Sequence, residues 1–159
     1  MSFDDWILAL HVLSAFAYVS AIVLFWVLVV AVRGTDTPDG TIRMEPVVKV
    51  GNACVAIGAT GTIVLGIWLA FSVGGYDIWD PWIIAALVLW ALAAETGRRS
   101  GIEFMAGMTK ARELRDAGQE GPSAELLAAN RTQRGLQMHT LSSVLVLLIL
   151  VDMIWKPGA

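Results

Sequence analysis

One apolar stretch, residues 6–32, constrains this chain more than any other feature. Between Asp5 and Arg33 there is no Asp, Glu, Lys or Arg, and His11 is the only side chain in the stretch that titrates near neutral pH. Because roughly 20 helical residues cross a hydrocarbon core about 30 Å thick, the stretch is long enough to span a bilayer with some tilt. Three more apolar stretches follow it. The sequence therefore predicts a protein that crosses a membrane several times.

The composition agrees with that prediction and favours a single domain. Hydrophobic residues make up 57% of the 159 residues and charged residues 16%, whereas soluble domains contain about 45–50% and about 25%. We therefore expect an all-α membrane protein whose single domain is a bundle of four transmembrane helices. The predicted helices cover about 4–32, 47–73, 81–117 and 123–155.

The polar segments between the helices predict a loop and a hairpin. Residues 33–46 contain two glycines and two prolines among mixed charges, which favours a loop. Residues 97–134 are polar but keep a helical pattern on both sides of a break at 118–122. Helices three and four are therefore expected to extend beyond the membrane as a helical hairpin. Asp80 is the predicted N-cap of helix three, and Ser123 can cap the second arm of the hairpin.

The distribution of positive charge predicts the orientation. Ten of the eleven Lys and Arg residues lie on one side of the predicted spans, and only Lys156 lies on the other. An excess of Lys and Arg marks the cytoplasmic side of a membrane protein. Both termini are therefore expected outside, and the 97–134 hairpin is expected in the cytoplasm.

The expected partners are the lipid bilayer and other membrane helices. Gly58, Thr62 and Gly66 follow one another at i+4 in helix two, a spacing of small residues that lets two helix backbones approach closely. Helix two is therefore expected at the centre of the bundle or at a homodimer contact. The net charge of −3 and the lack of a basic stretch interleaved with aromatic residues argue against a nucleic-acid partner.

Ionisable side chains at membrane depth need a partner or a purpose, and the predicted topology sorts four of them into two groups. His11 and Asp152 fall near the outer surface. Ser14 and Tyr18 share a helix face with His11, three and seven residues further on. The simplest partner for Asp152 is Lys156, one helical turn away.

The inner group contains Asn52, Glu95, His139 and Ser142. Glu95 pairs most simply with one of the two arginines that follow it, at positions 98 and 99. Helical rise places His139 on the order of 20 Å from His11. A single haem bridged by both histidines is therefore not expected.

Two interpretations of His11 remain open. In the first it is a structural residue held by hydrogen bonds, as is also expected of His139. In the second it is an axial ligand of a b-type haem, with Met153, the only methionine at a suitable outer depth, as the second ligand. The sequence contains no nucleophile–base set, no phosphate-binding glycine loop and no zinc-ligand spacing, so no motif argues for catalysis.

Nearly the whole chain resembles a known group of membrane proteins. LALHVLSA at residues 8–15, the four predicted spans and VDMIWKP at residues 151–157 resemble the bacterial integral membrane proteins grouped as domain of unknown function 2269. That resemblance implies four spans in a bacterial cytoplasmic membrane and no particular activity.

The opening helix is also distantly similar to two other families, the copper-resistance D membrane proteins and the small haem-dependent protoporphyrinogen oxidases. In the oxidases a histidine of the first helix is a haem ligand, and His11 is the matching position. That family usually continues with a Trp-x-Gly-Gly-type stretch, where this chain has Tyr-Val-Ser-Ala at residues 18–21.

Three functions follow from these observations. The leading hypothesis is a non-enzymatic structural or accessory subunit of the inner membrane, which forms a homodimer or joins a larger membrane complex. The alternative is a b-haem protein, either an electron carrier or an oxidase, with His11 as ligand. The third is a conduit for a small solute or ion, which would require the outer and inner polar groups to connect.

The haem hypothesis makes a spectroscopic prediction. Protein purified gently in detergent, after expression with haem supplied, should show a Soret band and reduced α and β bands if His11 binds haem. The His11→Ala variant should lose these bands, because the axial ligand is removed. A flat spectrum of the unmodified protein would leave His11 as a packing residue.

Overall fold

The structure is a computed structural model that describes residues 2–74 and 77–157, and it is almost entirely helical. Strands are absent from these two ranges. The prediction of an all-α fold with four long helices is confirmed, the long helices being α1, α3, α4 and α6. The six helices are α1 (Phe3–Arg33), α2 (Pro38–Ile42), α3 (Glu45–Ser72), α4 (Pro81–Asp116), α5 (Ala124–Asn130) and α6 (Gln133–Trp155).

Three segments of the described chain are long and apolar enough to cross a membrane. They are α1, the Pro38–Ser72 segment that contains α2 and α3, and the Ala124–Trp155 segment that contains α5 and α6. The fourth long helix, α4, has 36 residues, but Glu95, Arg98 and Arg99 end its apolar part early. By length and composition the chain is therefore a helical membrane protein with three clear candidate spans.

The outer faces of the long helices are apolar and exposed. Phe71 on α3 and Ile154 on α6 each expose 73% of their surface, and Val30 on α1 exposes 71%. A large, continuous apolar surface of this kind is unfavourable in water and normal against lipid tails. The described helices therefore fit contact with a lipid bilayer.

Local sequence explains where several helices begin. Ser2 caps α1, since the Asp5 amide donates to Ser2 Oγ (3.2 Å) and the Ser2 amide donates to Asp5 Oδ2 (2.6 Å). Ser123 caps α5 by accepting from an amide one turn on, at 3.3 Å. Asp80 stands at the N-cap of α4, but its carboxylate accepts from the Asp77 amide instead (3.0 Å). The predicted side-chain cap at Asp80 is therefore not formed.

Gly118 ends α4 in the predicted break. Its φ of +77° lies in the left-handed region, which costs glycine little and other residues more. The Gly118 amide donates to the Arg115 carbonyl (2.9 Å), and the Gln119 amide donates to the Leu114 carbonyl (3.0 Å). These bonds satisfy carbonyls that the helix end would otherwise leave open.

Two segments differ from the sequence expectation. The predicted loop at residues 33–46 contains the short helix α2, which begins at a buried proline, Pro38. The predicted helix at 123–155 is two helices, because the chain breaks at Arg131 and Thr132. Arg33 Nη1 donates to the carbonyls of both residues, at 3.2 and 3.4 Å. This long-range contact and the Thr132 side-chain cap of α6 together stabilise the break between α5 and α6.

The long helices form two tightly packed pairs, α1 with α3 and α4 with α6, which meet each other over a much smaller area. Within the first pair, a Cβ added to Gly58 would lie only 2.5 Å from the Tyr18 backbone nitrogen. Within the second pair, Ser142 Oγ donates to the Ala93 carbonyl at 3.0 Å. Buried side chains of both pairs form one small core, namely Tyr18, Ala93, Leu145 and Val146.

The polar end of α4 is joined to α5 and to the start of α3 rather than standing alone. Lys110 Nζ lies 2.6 Å from Glu125 Oε1, and this contact raises the pKa of Lys110. Arg112 Nη2 lies 3.0 Å from Glu45 Oε2 at the start of α3. The end of α4 is therefore connected to both neighbouring segments of the chain.

The close approach at Gly58 predicts an effect on stability. Gly58→Ala should lower the free energy of unfolding in detergent by about 1–3 kcal/mol, because the new methyl group must push the α1 backbone away. Gly101→Ala on α4 is the control, since a Cβ there meets nothing within 4 Å. Thermal or SDS unfolding should show the control no less stable than the original protein. Equal losses for both variants would contradict the proposed packing.

Candidate functional site

A cavity of about 350 Å³ lies between the two helix pairs. It extends from the level of Tyr18 on α1 and Ala93 on α4 to the level of Val32 and Met108 near the opposite ends of those segments. Most of its wall is apolar, and α1, α3, α4 and α6 all contribute. Ligand sites in proteins are commonly apolar cavities of about this size with a few polar groups. This cavity is therefore the candidate functional site.

The cavity opens between α3 and α4. Its residues on α1 and α6 are mostly shielded, with Val29 at 4% and His139 at 7% exposed. The exposed members of its wall are Asn52 on α3 and Arg98, Gly101 and Met105 on α4. The two helices that carry these residues, α3 and α4, contact each other over only a small area. A molecule can therefore reach the cavity from the side of the bundle, between α3 and α4.

On the α6 side of the cavity, His139 is a buried polar side chain with one hydrogen-bonding atom that no described residue satisfies. Its ring lies 4.7 Å from that of Trp26 on α1, centroid to centroid, at an interplanar angle of 55°. Trp26 Nε1 donates to Ser143 Oγ at 2.9 Å, and that hydroxyl donates to the His139 carbonyl at 2.8 Å. His139 Nε2 is buried and has no hydrogen-bond partner among the described residues. Trp26 therefore packs against the His139 ring, and Nε2 of that ring is left without a hydrogen-bond partner among the described residues.

Paired charges surround the mouth of the cavity. Arg98 lines the wall and binds Glu95 through two contacts, Nε to Oε2 at 2.8 Å and Nη2 to Oε1 at 3.0 Å. Arg99 Nε donates to the same carboxylate at 2.7 Å. The predicted pairing of Glu95 with the following arginines is therefore present. Glu95 itself does not line the cavity.

The end of the cavity near Thr41 has a hydrogen-bonded floor. Asn130 of α5 is only 2% exposed, and its Nδ2 donates to the Thr35 carbonyl at 2.9 Å and to Thr41 Oγ1 at 3.0 Å. In the same region Arg131 Nε donates to the Arg33 carbonyl at 3.1 Å. These bonds connect the α1–α2 segment to α5, and Thr41 belongs to the cavity wall.

The structure places the predicted inner residues Asn52, His139 and Ser142 on the wall of this one cavity. It places most of the predicted outer residues elsewhere. His11 and Ser14 lie in the contact between α1 and α3, where a Cβ on Gly66 would meet His11 Cε1 at 3.0 Å.

The small residues of α3 act within the chain. Gly58 faces the α1 backbone at Tyr18, and Gly66 faces His11. Thr62 Oγ1 donates to the Gly58 carbonyl at 2.7 Å. The stripe therefore permits the α1–α3 contact within the chain.

The remaining outer residues lie on α6. Asp152 is 8% exposed, and its Oδ2 has no hydrogen-bond partner among the described residues. Lys156 Nζ lies 5.3 Å from the centroid of the Trp82 ring. Met153 is half-buried beside Asp152.

The haem hypothesis is not supported by this arrangement. The His11 ring is packed against Gly66 in the α1–α3 contact, and Met153 lies on α6 of the other pair. Neither residue lines the cavity between the pairs. We therefore derive no chemistry from a haem at His11.

Comparisons of the chain with protein-family models, with curated proteins and with solved structures find no match. The function proposed below therefore depends on the geometry of this chain alone.

The floor predicts a second effect on stability. Asn130→Ala should lower the free energy of unfolding by about 1–3 kcal/mol, because it leaves the buried Thr41 hydroxyl and the Thr35 carbonyl without their donor. It should also speed proteolysis near residues 117–122. Asn52→Ala is the matched control, since Asn52 is exposed. If the two variants unfold and are cleaved alike, the floor does not hold the two segments together.

Proposed function

We propose that this protein is a non-enzymatic inner-membrane protein that binds a membrane-soluble amphiphile in the cavity between its helix pairs. The observation that carries the proposal is the cavity itself, about 350 Å³ with a mostly apolar wall. Two well-packed helix pairs seldom leave so much apolar space between them, because protein interiors approach the packing density of organic crystals. A bound apolar molecule accounts for the space.

The opening between α3 and α4 supports a ligand that arrives from the bilayer. The exposed wall residues Gly101 and Met105 lie on the α4 side, and Asn52 on the α3 side. α3 belongs to a segment apolar enough to cross a membrane. Because the exposed α4 residues of the opening lie at and beyond Arg98, where the apolar part of that helix ends, an amphiphile at the membrane surface can enter sideways between α3 and α4.

The proposed topology follows the charges. α4 crosses the membrane as the fourth span, both termini lie outside, and the polar ends of α4 and α5 form a cytoplasmic hairpin. Ten of the eleven Lys and Arg residues then lie on the cytoplasmic side. The proposal keeps the accessory role expected from the sequence, in which the ligand is held for a partner in the membrane.

The geometry favours binding over conduction. The buried core of Tyr18, Ala93, Leu145 and Val146 closes the outer end of the cavity, and the hydrogen bonds of Asn130 close the inner end. The outer and inner polar groups are therefore not joined by an aqueous path, as a conduit would need.

A plugging substitution tests the proposal. A long-chain alkyl diazirine, incorporated into nanodiscs that contain the protein, should crosslink on illumination to cavity residues such as Val29 and Met105. Gly101→Phe should reduce these crosslinks severalfold, because its ring fills the mouth without a clash at Cβ. Ala106→Phe should leave them unchanged, since Ala106 is exposed on the same helix but lies outside the wall.

Crosslinks confined to the lipid-facing sides of the helices would contradict the proposal. So would cavity crosslinks that persist in the Gly101→Phe variant. Thermal unfolding of both variants shows that each is folded under the conditions of the assay.

A further inference from the structure

His139, one of the residues that line the cavity, carries a buried nitrogen that the described residues leave without a hydrogen bond. His139 is 7% exposed, and its Nε2 has no hydrogen-bond partner among residues 2–74 and 77–157. Nδ1 of His11, Nε1 of Trp90 and Oδ2 of Asp152 are also unpartnered there, but those residues do not line the cavity. Burying a polar nitrogen without a partner is unfavourable. A ligand oxygen beside Nε2 would remove that cost.

The polar groups of the wall come from both helix pairs. Asn52 lies on α3, whereas His139 and Ser142 lie on α6. Ser142 already donates its hydrogen to the Ala93 carbonyl, so its oxygen is left as an acceptor. The asparagine amide and the histidine nitrogen can each bond one oxygen of a ligand that lies between the pairs. A head group with oxygens on opposite edges matches this arrangement.

The charge of the wall favours an uncharged head group. Arg98 is the one charged residue in the described wall, and its guanidinium already holds the Glu95 carboxylate by two hydrogen bonds. A phosphate or carboxylate head would have to compete for that arginine. Without it, an anionic head would be buried among apolar side chains at a large cost.

The shape of the wall favours a ring with one chain. Aromatic side chains line the cavity at Tyr18, Phe25 and Phe104, and Trp26 backs the imidazole of His139. Aromatic walls pack well against a planar ring. A volume of about 350 Å³ is at the lower end for ligand sites. It suits one ring and the start of a single chain, whose remainder leaves between α3 and α4.

From these observations we propose that the occupant is an isoprenoid quinone or its quinol, with a ring oxygen hydrogen-bonded to Nε2 of His139. This inference rests on the proposed function and adds the identity of the head group. The ring lies between His139 and Asn52, and the isoprenoid chain passes between α3 and α4 into the bilayer. His139 acts as a specificity residue for the ring oxygen, and the apolar wall holds the ring and chain.

Competition in the crosslinking assay tests the inference. A benzoquinone with a decyl side chain should displace the alkyl diazirine from the cavity of the unmodified protein. In the His139→Phe variant, about tenfold more quinone should be needed, because one buried hydrogen bond is lost while the ring beside Trp26 is kept. Crosslinking by the headless diazirine itself should not change. His139→Gln, which retains a hydrogen-bonding nitrogen, should recover most of the affinity.

Matched controls separate the head group from the chain and from the fold. The His11→Phe variant removes the other histidine, which lies outside the cavity, and should not alter competition by the quinone. Decanol should compete at least tenfold more weakly than the decyl benzoquinone, and phosphatidylglycerol likewise. Thermal unfolding confirms that each variant is folded.

The outcomes distinguish the two proposals. If the diazirine labels the cavity but decanol or phosphatidylglycerol competes as well as the quinone, the quinone inference is wrong and the proposed function stands. Equal competition in the unmodified protein and the His139→Phe variant would also overturn the role of His139. If the cavity is not labelled at all, the proposed function fails first.

Discussion

The close approach of α1 to α3 is the contact on which the rest of the architecture depends. Gly58 lets the α3 backbone lie against the α1 backbone at Tyr18, and lipid offers no hydrophobic driving force to replace such packing. Because the close backbone contact of α1 is with α3, α1 contacts α6 mainly through larger side chains such as Trp26. The helices are therefore closely packed within each pair and loosely packed between the pairs, and the space between the pairs forms the cavity.

The junction of α1, α5 and α6 gives the loose arrangement a defined base. The Arg33 side chain donates hydrogen bonds to the two carbonyls at which the α5–α6 segment breaks. Asn130 donates a hydrogen bond to the Thr35 carbonyl in the segment after α1. Ends of helices in three different segments are thus satisfied by one another rather than by water. A hydrogen-bond network that joins several segments holds them in one arrangement.

Sequence reasoning succeeded where a local pattern carries the information. The helix predicted at 4–32 matches α1 at Phe3–Arg33, and the break at 118–122 matches the left-handed Gly118. It missed the break at Arg131 and Thr132, because Arg33 lies about a hundred positions away and no periodicity connects them. It grouped Asn52 with His139 by depth alone. The cavity that contains both was not predictable, since it depends on how two helix pairs fit together.

The hydrogen bond from Trp26 to Ser143 and the floor at Asn130 both join the two helix pairs on the α1 and α5–α6 side. The α1–α6 and α3–α4 edges both have few direct contacts, and the ion pair of Arg112 with Glu45 joins α4 to the start of α3. The two helix pairs are therefore tied together near the polar end of α4, and elsewhere they can shift relative to each other with the loss of few contacts.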